Sequence, residues 1–169
     1  MKTIEINLYK FDELSEEAQQ TAIRSYQTQA DYYDWWDNIY SNAKEVGVAI
    51  DSFDVYRNYI SVSFMLMAHD VANALIYFWG ADSDIGEVSQ AFLDKREVLY
   101  KKYAGDEVST YNEKLYEAED ELVDDFHSDV SDYFRKQLRD ELEWLESEEY
   151  TRGFLSDMDY DFTEDGKQY

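Results

Sequence analysis

Residues 111–149 read YNEKLYEAEDELVDDFHSDVSDYFRKQLRDELEWLESEE and combine a helical apolar pattern with a very high density of carboxylates. The apolar residues recur mostly at steps of three and four, so they share one side of a helix: Leu115, Ala118, Leu122, Phe126, Val130, Tyr133, Leu138, Leu142 and Leu145. Neither Gly nor Pro interrupts the segment. The stretch therefore predicts one helix of roughly 55 Å, at about 1.5 Å per residue, whose apolar stripe packs on the rest of the protein.

The other faces of this predicted helix are strongly acidic. They carry 15 Asp and Glu against only Lys114, Arg135, Lys136 and Arg139. A solvated helix face usually mixes charges and gains i,i+4 ion pairs, whereas this one repels itself at a cost in stability. Duplex DNA carries one negative charge per about 1.7 Å when both strands are counted. The imbalance favours a surface that imitates nucleic acid, and the simpler alternative is a hydrated face without a specific role.

Composition describes a folded protein. The chain has 169 residues, of which 44% are hydrophobic and 17% aromatic, so it is long and apolar enough for one domain with its own core. It contains no Cys, which excludes disulfides, thiolate metal ligands and cysteine nucleophiles. No segment resembles a signal peptide or a membrane span. We expect a soluble protein in the cytoplasm of a host cell.

The net charge predicts the kind of partner. Fifteen basic and 39 acidic residues give −24. Such a charge repels nucleic acid and membranes and attracts basic surfaces, so the expected partner is a basic nucleic-acid-binding protein. Adaptation to high salt is an alternative source of acidity, but the charge is concentrated in the C-terminal half, whereas that adaptation spreads acids evenly.

The remaining patterns predict an α+β fold. The predicted elements are a strand at 3–11, helices at 15–26 and 31–46, a β-hairpin at 49–64 that turns at Asn58 and extends towards residue 68, and helices at 69–80 and 87–103. A short helix or turn is predicted at 150–158, and the alternation at 160–162 predicts a final strand or β-turn. We expect an antiparallel sheet of three or four strands, including both terminal strands, covered on one face by helices. The chain is predicted to form a single domain, 1–169. Its sheet and covering helices come from 1–80 and 150–169, and 84–149 form a helical hairpin that turns at 104–106. The basic cluster Lys95, Arg96, Lys101 and Lys102 is expected to pair with acids of the opposite arm.

Catalytic and metal-binding patterns are weak. The spacing of Asp124 and His127 suits a metal in helical bundles, but that chemistry needs the motif twice and the chain has two His in all. Two acidic triplets, Asp82/Asp84/Glu87 and Asp157/Asp159/Asp161, lack the Gly and Glu of a calcium loop. No phosphate loop or nucleophile elbow is present. We expect no enzyme activity, cofactor or metal, and a surface position for His127.

Several segments carry a resemblance to a known group of proteins. They are YKFDELSEEA at 9–18, YDWW at 33–36, IDSFD at 50–54 and FTEDGK at 162–167. These segments resemble small acidic proteins of bacteriophages and prophages, at both ends of the chain and only weakly in the helical hairpin. Members of that group are uncharacterised or labelled antitoxin-like, so the resemblance implies a phage setting and assigns no catalytic residue. In general character the chain is also similar to phage DNA mimics.

These observations lead to one expected function and one alternative. The chain is expected to be a viral anti-defence inhibitor, anti-CRISPR or anti-restriction, that mimics DNA and occupies the nucleic-acid groove of a host nuclease or CRISPR effector. The expected partner-binding residues are Glu113, Glu117, Asp120, Glu121, Asp124, Asp125, Asp129 and Asp132, with Trp36 as an aromatic anchor. Trp35 and Trp36 cannot point the same way, so one is expected in the core and one near the surface. The alternative is an antitoxin-like or allosteric inhibitor that binds a basic partner without imitating DNA.

Overall fold

The computed structural model describes residues 5–29, 32–103 and 108–169, without the side chains of 29 and 108–112. Within these residues the fold is mixed and mostly helical, as the α+β prediction required. The helices are α1 (Glu16–Gln29), α2 (Asp37–Glu45), α3 (Ala68–Trp79), α4 (Asp84–Tyr103), α5 (Val108–Leu145) and α6 (Glu148–Asp157), and the strands are β1 (Val48–Asp54) and β2 (Tyr59–Phe64). Internal contacts group the chain into two compact units, 36–139 and 1–35 with 140–169. This grouping differs from the division that the sequence suggested, and the single domain stays a prediction.

The β-hairpin belongs to the longer unit, 36–139, and confirms its predicted turn. β1 and β2 pair antiparallel, with a register shift between Ile50 and Ser52. Asn58 adopts the left-handed conformation, with φ of 53°, which Asn tolerates better than most residues. The strand ends at Phe64, so its predicted extension towards residue 68 is wrong. The core of the unit is apolar and comes from all its elements: Ala43, Val46, Val48, Ile50, Val62, Val71, Ala72, Leu75, Ile85, Phe92, Phe126, Val130 and Phe134.

The predicted helical hairpin is present as α4 and α5. The ring of Phe92 stacks on that of Phe126 with centroids 4.3 Å apart, and Arg96 meets Glu119. The two arms run antiparallel, because a residue later in α4 contacts a residue earlier in α5. The predicted turn at 104–106 lies outside the described residues. α4 begins at Asp84, inside the predicted loop, because the Ser83 hydroxyl accepts the N–H of Gly86 at 3.0 Å.

α5 buries Leu115, Phe126, Val130, Leu138 and Leu142 of the predicted apolar stripe, leaves its other members partly buried, and buries one residue that was not predicted. Phe134 is 1% exposed and was missing from the prediction. Its burial follows from the steps of four between Phe126, Val130, Phe134 and Leu138, which exceed the 3.6-residue turn and make the stripe wind around the helix. The helix ends at Leu145 and not at Glu149. There the Ser147 hydroxyl caps α6 by accepting the N–H of Tyr150 at 3.1 Å.

The shorter unit, 1–35 with 140–169, joins both ends of the chain. Its core consists of Phe11, Leu14, Ala18, Ala22, Ile23, Leu155 and Phe162. Residues 3 and 4 of the strand predicted at 3–11 lie outside the described residues. The rest of that strand and the strand predicted at 160–162 reduce to single bridges, Tyr9 with Phe162 and Phe162 with Gln168. A 3₁₀ helix from Phe11 to Glu13 ends the first segment, where the Lys10 N–H donates to the Glu13 carboxylate at 2.7 Å. The described residues therefore hold one two-stranded sheet and not the predicted three or four strands.

The helix predicted at 31–46 is shorter than expected. Residues 33–36 form a turn, and α2 begins only at Asp37. Asp34 has φ of 52°, which a right-handed helix does not accommodate. At the other end Gly47, with φ of 79°, follows the helix. A Cβ there would lie 2.6 Å from the Leu66 side chain, so Gly47 also makes room for Leu66.

Candidate functional site

The eight expected carboxylates all lie exposed on the N-terminal two thirds of α5. Helical geometry places Glu113, Glu117, Asp120 and Asp124 in one stripe, because they follow steps of four, three and four. Glu121, Asp125, Asp129 and Asp132 form the neighbouring stripe. We call these eight residues the acidic ridge. Leu115, Phe126 and Val130 are buried on the other side of the same helix, so core packing holds the ridge outward.

Ion pairing neutralises little of the acidic ridge. Asp132 accepts a hydrogen bond from Arg135 at 2.6 Å. The ion pairs found among the described residues involve no other member of the ridge. Its remaining carboxylates are thus free to accept hydrogen bonds from the cationic groups of a partner.

Glu119 lies within the same run of acids but has a different role. Its carboxylate accepts from Nε of Arg96 at 2.7 Å and from the hydroxyl of Tyr100 at 2.8 Å. Burial raises the pKa of Tyr100, and its hydrogen bond to Glu119 adds to that rise. One member of the basic cluster therefore pairs across the hairpin as predicted. Lys101 instead pairs with Glu97 on its own helix at 2.5 Å.

The spacing of the ridge resembles that of a nucleic-acid strand. Residues 113 to 132 span about 28 Å of helix axis at about 1.5 Å per residue. Eight carboxylates over that length are about 4 Å apart on average along the axis, against about 3.4 Å between phosphates along one DNA strand. A single helix thus presents the charge density of one strand and not of a duplex.

The two flanks of the ridge differ in their surroundings. On one flank, Asp125 and Asp129 line a shallow pocket of about 110 Å³ together with Lys95 and Val88 of α4. A cation beside these two carboxylates lowers the local negative potential. On the other flank, Asp120 borders a larger groove. The stripe from Glu113 to Asp124 is therefore the better candidate for contact with a cationic partner.

The larger groove was missed by sequence reasoning. It has a volume of about 560 Å³ and is lined by Phe64, Leu66, Met67, Ala68, His69, Arg96, Tyr100, Tyr116, Glu119, Asp120 and Val123. Tyr116 is 59% exposed, Leu66 51% and Met67 71%. The sequence feature that could have indicated this groove is the apolar run Met65-Leu66-Met67 after β2, which the sequence analysis interpreted as an extension of the strand. We call this feature the apolar groove.

Trp36, the expected aromatic anchor, takes part in packing within the chain. Its side chain is partly buried and its ring meets that of Phe53 edge-on, with centroids 5.7 Å apart. Trp35 is also partly buried, so the expected division into a core and a surface tryptophan is wrong. The structure places Trp36 in the packing of β1 and α2.

Other candidate groups serve packing or ion pairing. His127 is partly buried and not on the surface, because its Nε2 lies 3.0 Å from the Val62 carbonyl oxygen. Asp159 and Asp161 both bind the Lys10 ammonium, at 2.7 and 2.8 Å. Over the described ranges, no group of three His, Asp or Glu side chains is placed to hold a metal ion. Among the described helices, none has the length and apolar character needed to span a membrane.

Acidity is not confined to the ridge. The shorter unit has 18 acidic and 5 basic residues, and the longer unit has 21 and 10. The shorter unit is therefore the more densely charged of the two. The ridge is distinguished by its regular, exposed and largely unpaired carboxylates.

Comparison of the chain with protein-family models, with curated protein sequences and with solved structures finds no match.

Proposed function

We propose that this protein is a phage anti-defence inhibitor whose acidic ridge takes the place of nucleic acid in the groove of a host nuclease or CRISPR effector. One observation carries the proposal: seven exposed carboxylates of α5 have no ion-pair partner among the described residues and are spaced like the phosphates of one strand. A helix that keeps such repulsion without internal compensation is suited to an external cationic surface. The partner would supply Lys and Arg side chains, and inhibition would need no turnover.

The first experiment identifies the partner and measures its response to salt. The protein is used at low ionic strength to capture proteins from a host lysate, and the captured protein is eluted with salt. Affinity for that protein should fall at least tenfold between about 50 and 200 mM salt, because screening weakens contacts between exposed charges. Affinity that stays constant over this range would exclude the proposed mode of binding.

The second experiment compares two variants with the same net charge. The ridge variant carries Glu113→Gln, Glu117→Gln, Asp120→Asn and Asp124→Asn. The control variant carries Glu141→Gln, Glu143→Gln, Asp157→Asn and Glu164→Gln, all exposed residues of the shorter unit. The ridge variant should bind the captured protein at least tenfold more weakly than the control. Equal losses would mean that net charge, and not the ridge, determines affinity.

An antitoxin-like or allosteric inhibitor is the second candidate. The observation that favours it is the apolar groove beside the ridge, since an exposed apolar surface fits a protein contact that has no counterpart in DNA. Competition separates the two candidates. A DNA mimic and DNA exclude each other from the captured protein, whereas an allosteric inhibitor and DNA bind to it together.

A further inference from the structure

The apolar groove lies entirely in the longer unit, between the start of α3 and the paired arms α4 and α5. Phe64, Leu66 and Met67 line it on the side where β2 leads into α3, and Tyr116 and Val123 line it from α5. Its volume of about 560 Å³ falls within the range of pockets that hold drug-sized ligands, about 300–1,000 Å³. The groove can therefore receive more than one apolar side chain.

The most accessible side chains of the groove are about half exposed or more. Met67 is 71% exposed, Tyr116 59% and Leu66 51%. Monomeric proteins rarely keep such adjoining apolar side chains in water unless a partner covers them. Met is flexible and polarisable and adapts to differently shaped apolar partners, and Tyr is frequent at protein interfaces. These properties indicate a protein segment as the occupant.

The wall of the groove is held in position by a closed polar network. Arg96 Nη2 donates to the Tyr100 hydroxyl at 3.1 Å, and both side chains bind the Glu119 carboxylate. Because these three groups satisfy one another, the Arg96 charge is already neutralised by Glu119. The groove thus presents no free cation of its own among the described residues that line it, and its rim is acidic.

The charge around the groove decides which segment fits. Asp120 is part of the lining, and helical spacing puts Glu113, Glu117 and Asp124 beside it in one stripe. A second copy of this chain would bring another charge of −24 to the same place, and an anionic membrane would be repelled in the same way. A cationic protein segment is the occupant that gains from both the apolar lining and the acidic rim.

We propose that the apolar groove binds an amphipathic helical segment of a partner protein, with Leu, Met or Phe on one face and Lys or Arg on the other. The apolar face would cover Leu66, Met67 and Tyr116, and the cations would contact the Glu113 to Asp124 stripe. Helices recognised in this way place anchors at i, i+3, i+4 and i+7. The inference goes beyond the proposed function, because it requires neither a nucleic-acid groove nor competition with DNA.

The probe for the test is an 18-residue model peptide in which Leu and Lys are arranged to form an amphipathic helix. Binding to the full chain is measured by titration calorimetry, and its location by the methyl signals of labelled Met. The signal of Met67 should shift strongly, while that of Met158, in the other unit, stays in place. A second peptide with Gln replacing Lys should bind at least tenfold more weakly, since it loses the contacts with the acidic rim.

Substitutions then locate the site. Met67→Gln combined with Tyr116→Ser removes apolar surface from the groove and should weaken the Leu/Lys peptide at least tenfold. Met65→Gln combined with Tyr77→Ser changes the same residue types outside the groove lining, where Met65 is 49% and Tyr77 92% exposed. This control pair should leave affinity within twofold of the parent.

Three results would overturn the proposal. In the first, both double variants bind the peptide as well as the parent. In the second, the Gln peptide binds as well as the Lys peptide, which would show that the acidic rim does not contribute to recognition. In the third, sedimentation shows a dimer that only the Met67→Gln, Tyr116→Ser variant loses, which would make a second copy the occupant. Failure of the DNA competition experiment would contradict the proposed function and leave this inference standing.

Discussion

Gly166 combines a left-handed backbone conformation with a close approach to α1. Its φ is 81°, and a Cβ would lie 2.0 Å from the carbonyl oxygen of Ala18. Gly166→Ala should therefore destabilise the protein by about 1–3 kcal/mol, because the chain must both move away from α1 and adopt a left-handed alanine. Denaturant unfolding followed by circular dichroism measures the change.

Gly153 provides the matched control, since it is exposed in α6 and a Cβ would meet nothing within 4 Å. Gly153→Ala should stabilise the protein by about 0.5–1 kcal/mol through better helix propensity. If the two alanines had equal effects, the close approach of Gly166 to Ala18 would not be the cause.

Asp165, beside Gly166, has a strongly lowered pKa. Hydrogen bonds from the Lys167 ammonium and the Thr163 hydroxyl, both at 2.6 Å, lower the pKa of Asp165 to about 2. Because the folded pKa lies below the ordinary value of 3.8, this interaction stabilises the protein fully above about pH 4. That stabilisation is lost as the pH falls through about 2.

Carboxyl carbon NMR of the folded protein should show the Asp165 transition near pH 2. In Lys167→Met the strongest donor is absent, so the midpoint should move up towards 3.8. A parent protein that titrates Asp165 at the ordinary value would contradict the hydrogen bonds that Lys167 and Thr163 donate to its carboxylate.

At the scale of the element, the pair of α4 and α5 depends on an ion pair inside the hairpin. Glu119 accepts hydrogen bonds from both Arg96 and Tyr100, and the Glu119 side chain is only 18% exposed. Glu119→Gln removes the charge that compensates Arg96, so unfolding should become easier by about 1–2 kcal/mol.

Glu117→Gln is the control, two residues away on the exposed face, and should change stability by less than about 0.5 kcal/mol. Thermal unfolding of the two variants under one buffer condition tests the difference. Two equal, small effects would show that the network adds nothing to the packing of Phe92 on Phe126.

The elements that sequence patterns predicted well are those with local causes. The steps of three and four between apolar residues predict the buried side of α5, and Asn58 predicts the turn of the β-hairpin. Both features are determined by residues that are close together in the sequence. The end of α5 also had a local signal, Ser147 followed by two Glu, which the continuous acidic pattern obscured. Most carboxylates of the ridge were predictable for the same reason, since residues opposite a buried stripe face water.

The elements that sequence patterns missed depend on distant partners. Tyr9 lies next to an alternating apolar segment, yet it pairs with Phe162 for one bridge only, because the 3₁₀ helix at Phe11 ends the strand. The apolar groove also has no local pattern, since Met67 and Tyr116 are brought to one cavity by the packing of α3 against α4 and of α4 against α5. The spacing of residues along the chain does not indicate which distant residues come into contact in the fold.

At the scale of the whole molecule, the charge of −24 opposes folding. Raising NaCl from about 10 to 150 mM shortens the Debye length from about 30 to 8 Å and weakens repulsion between acids. The melting temperature should therefore rise by at least about 2 °C, which corresponds to about 1 kcal/mol for a chain of this length. Differential scanning calorimetry over this range provides the measurement.

The ridge variant with four neutralised carboxylates should gain less from salt than the parent, because less repulsion remains to be screened. A melting temperature that falls with added NaCl would mean that exposed ion pairs, and not repulsion, dominate the electrostatics of folding. That outcome would also weaken the argument that the carboxylates of the ridge are kept for an external partner.

The joining of both chain ends in the shorter unit has a consequence for biosynthesis. Phe11, Leu14 and Ala18 form their core with Leu155 and Phe162, which the ribosome adds more than 130 residues later. Until Leu155 and Phe162 have been synthesised, the apolar side chains of the opening segment lack their partners in this core. The β-hairpin and α3, by contrast, already have neighbours to pack on. A nascent chain stalled before Leu155 would leave that segment open to chaperones and proteases, because this core cannot form until Leu155 and Phe162 have been added.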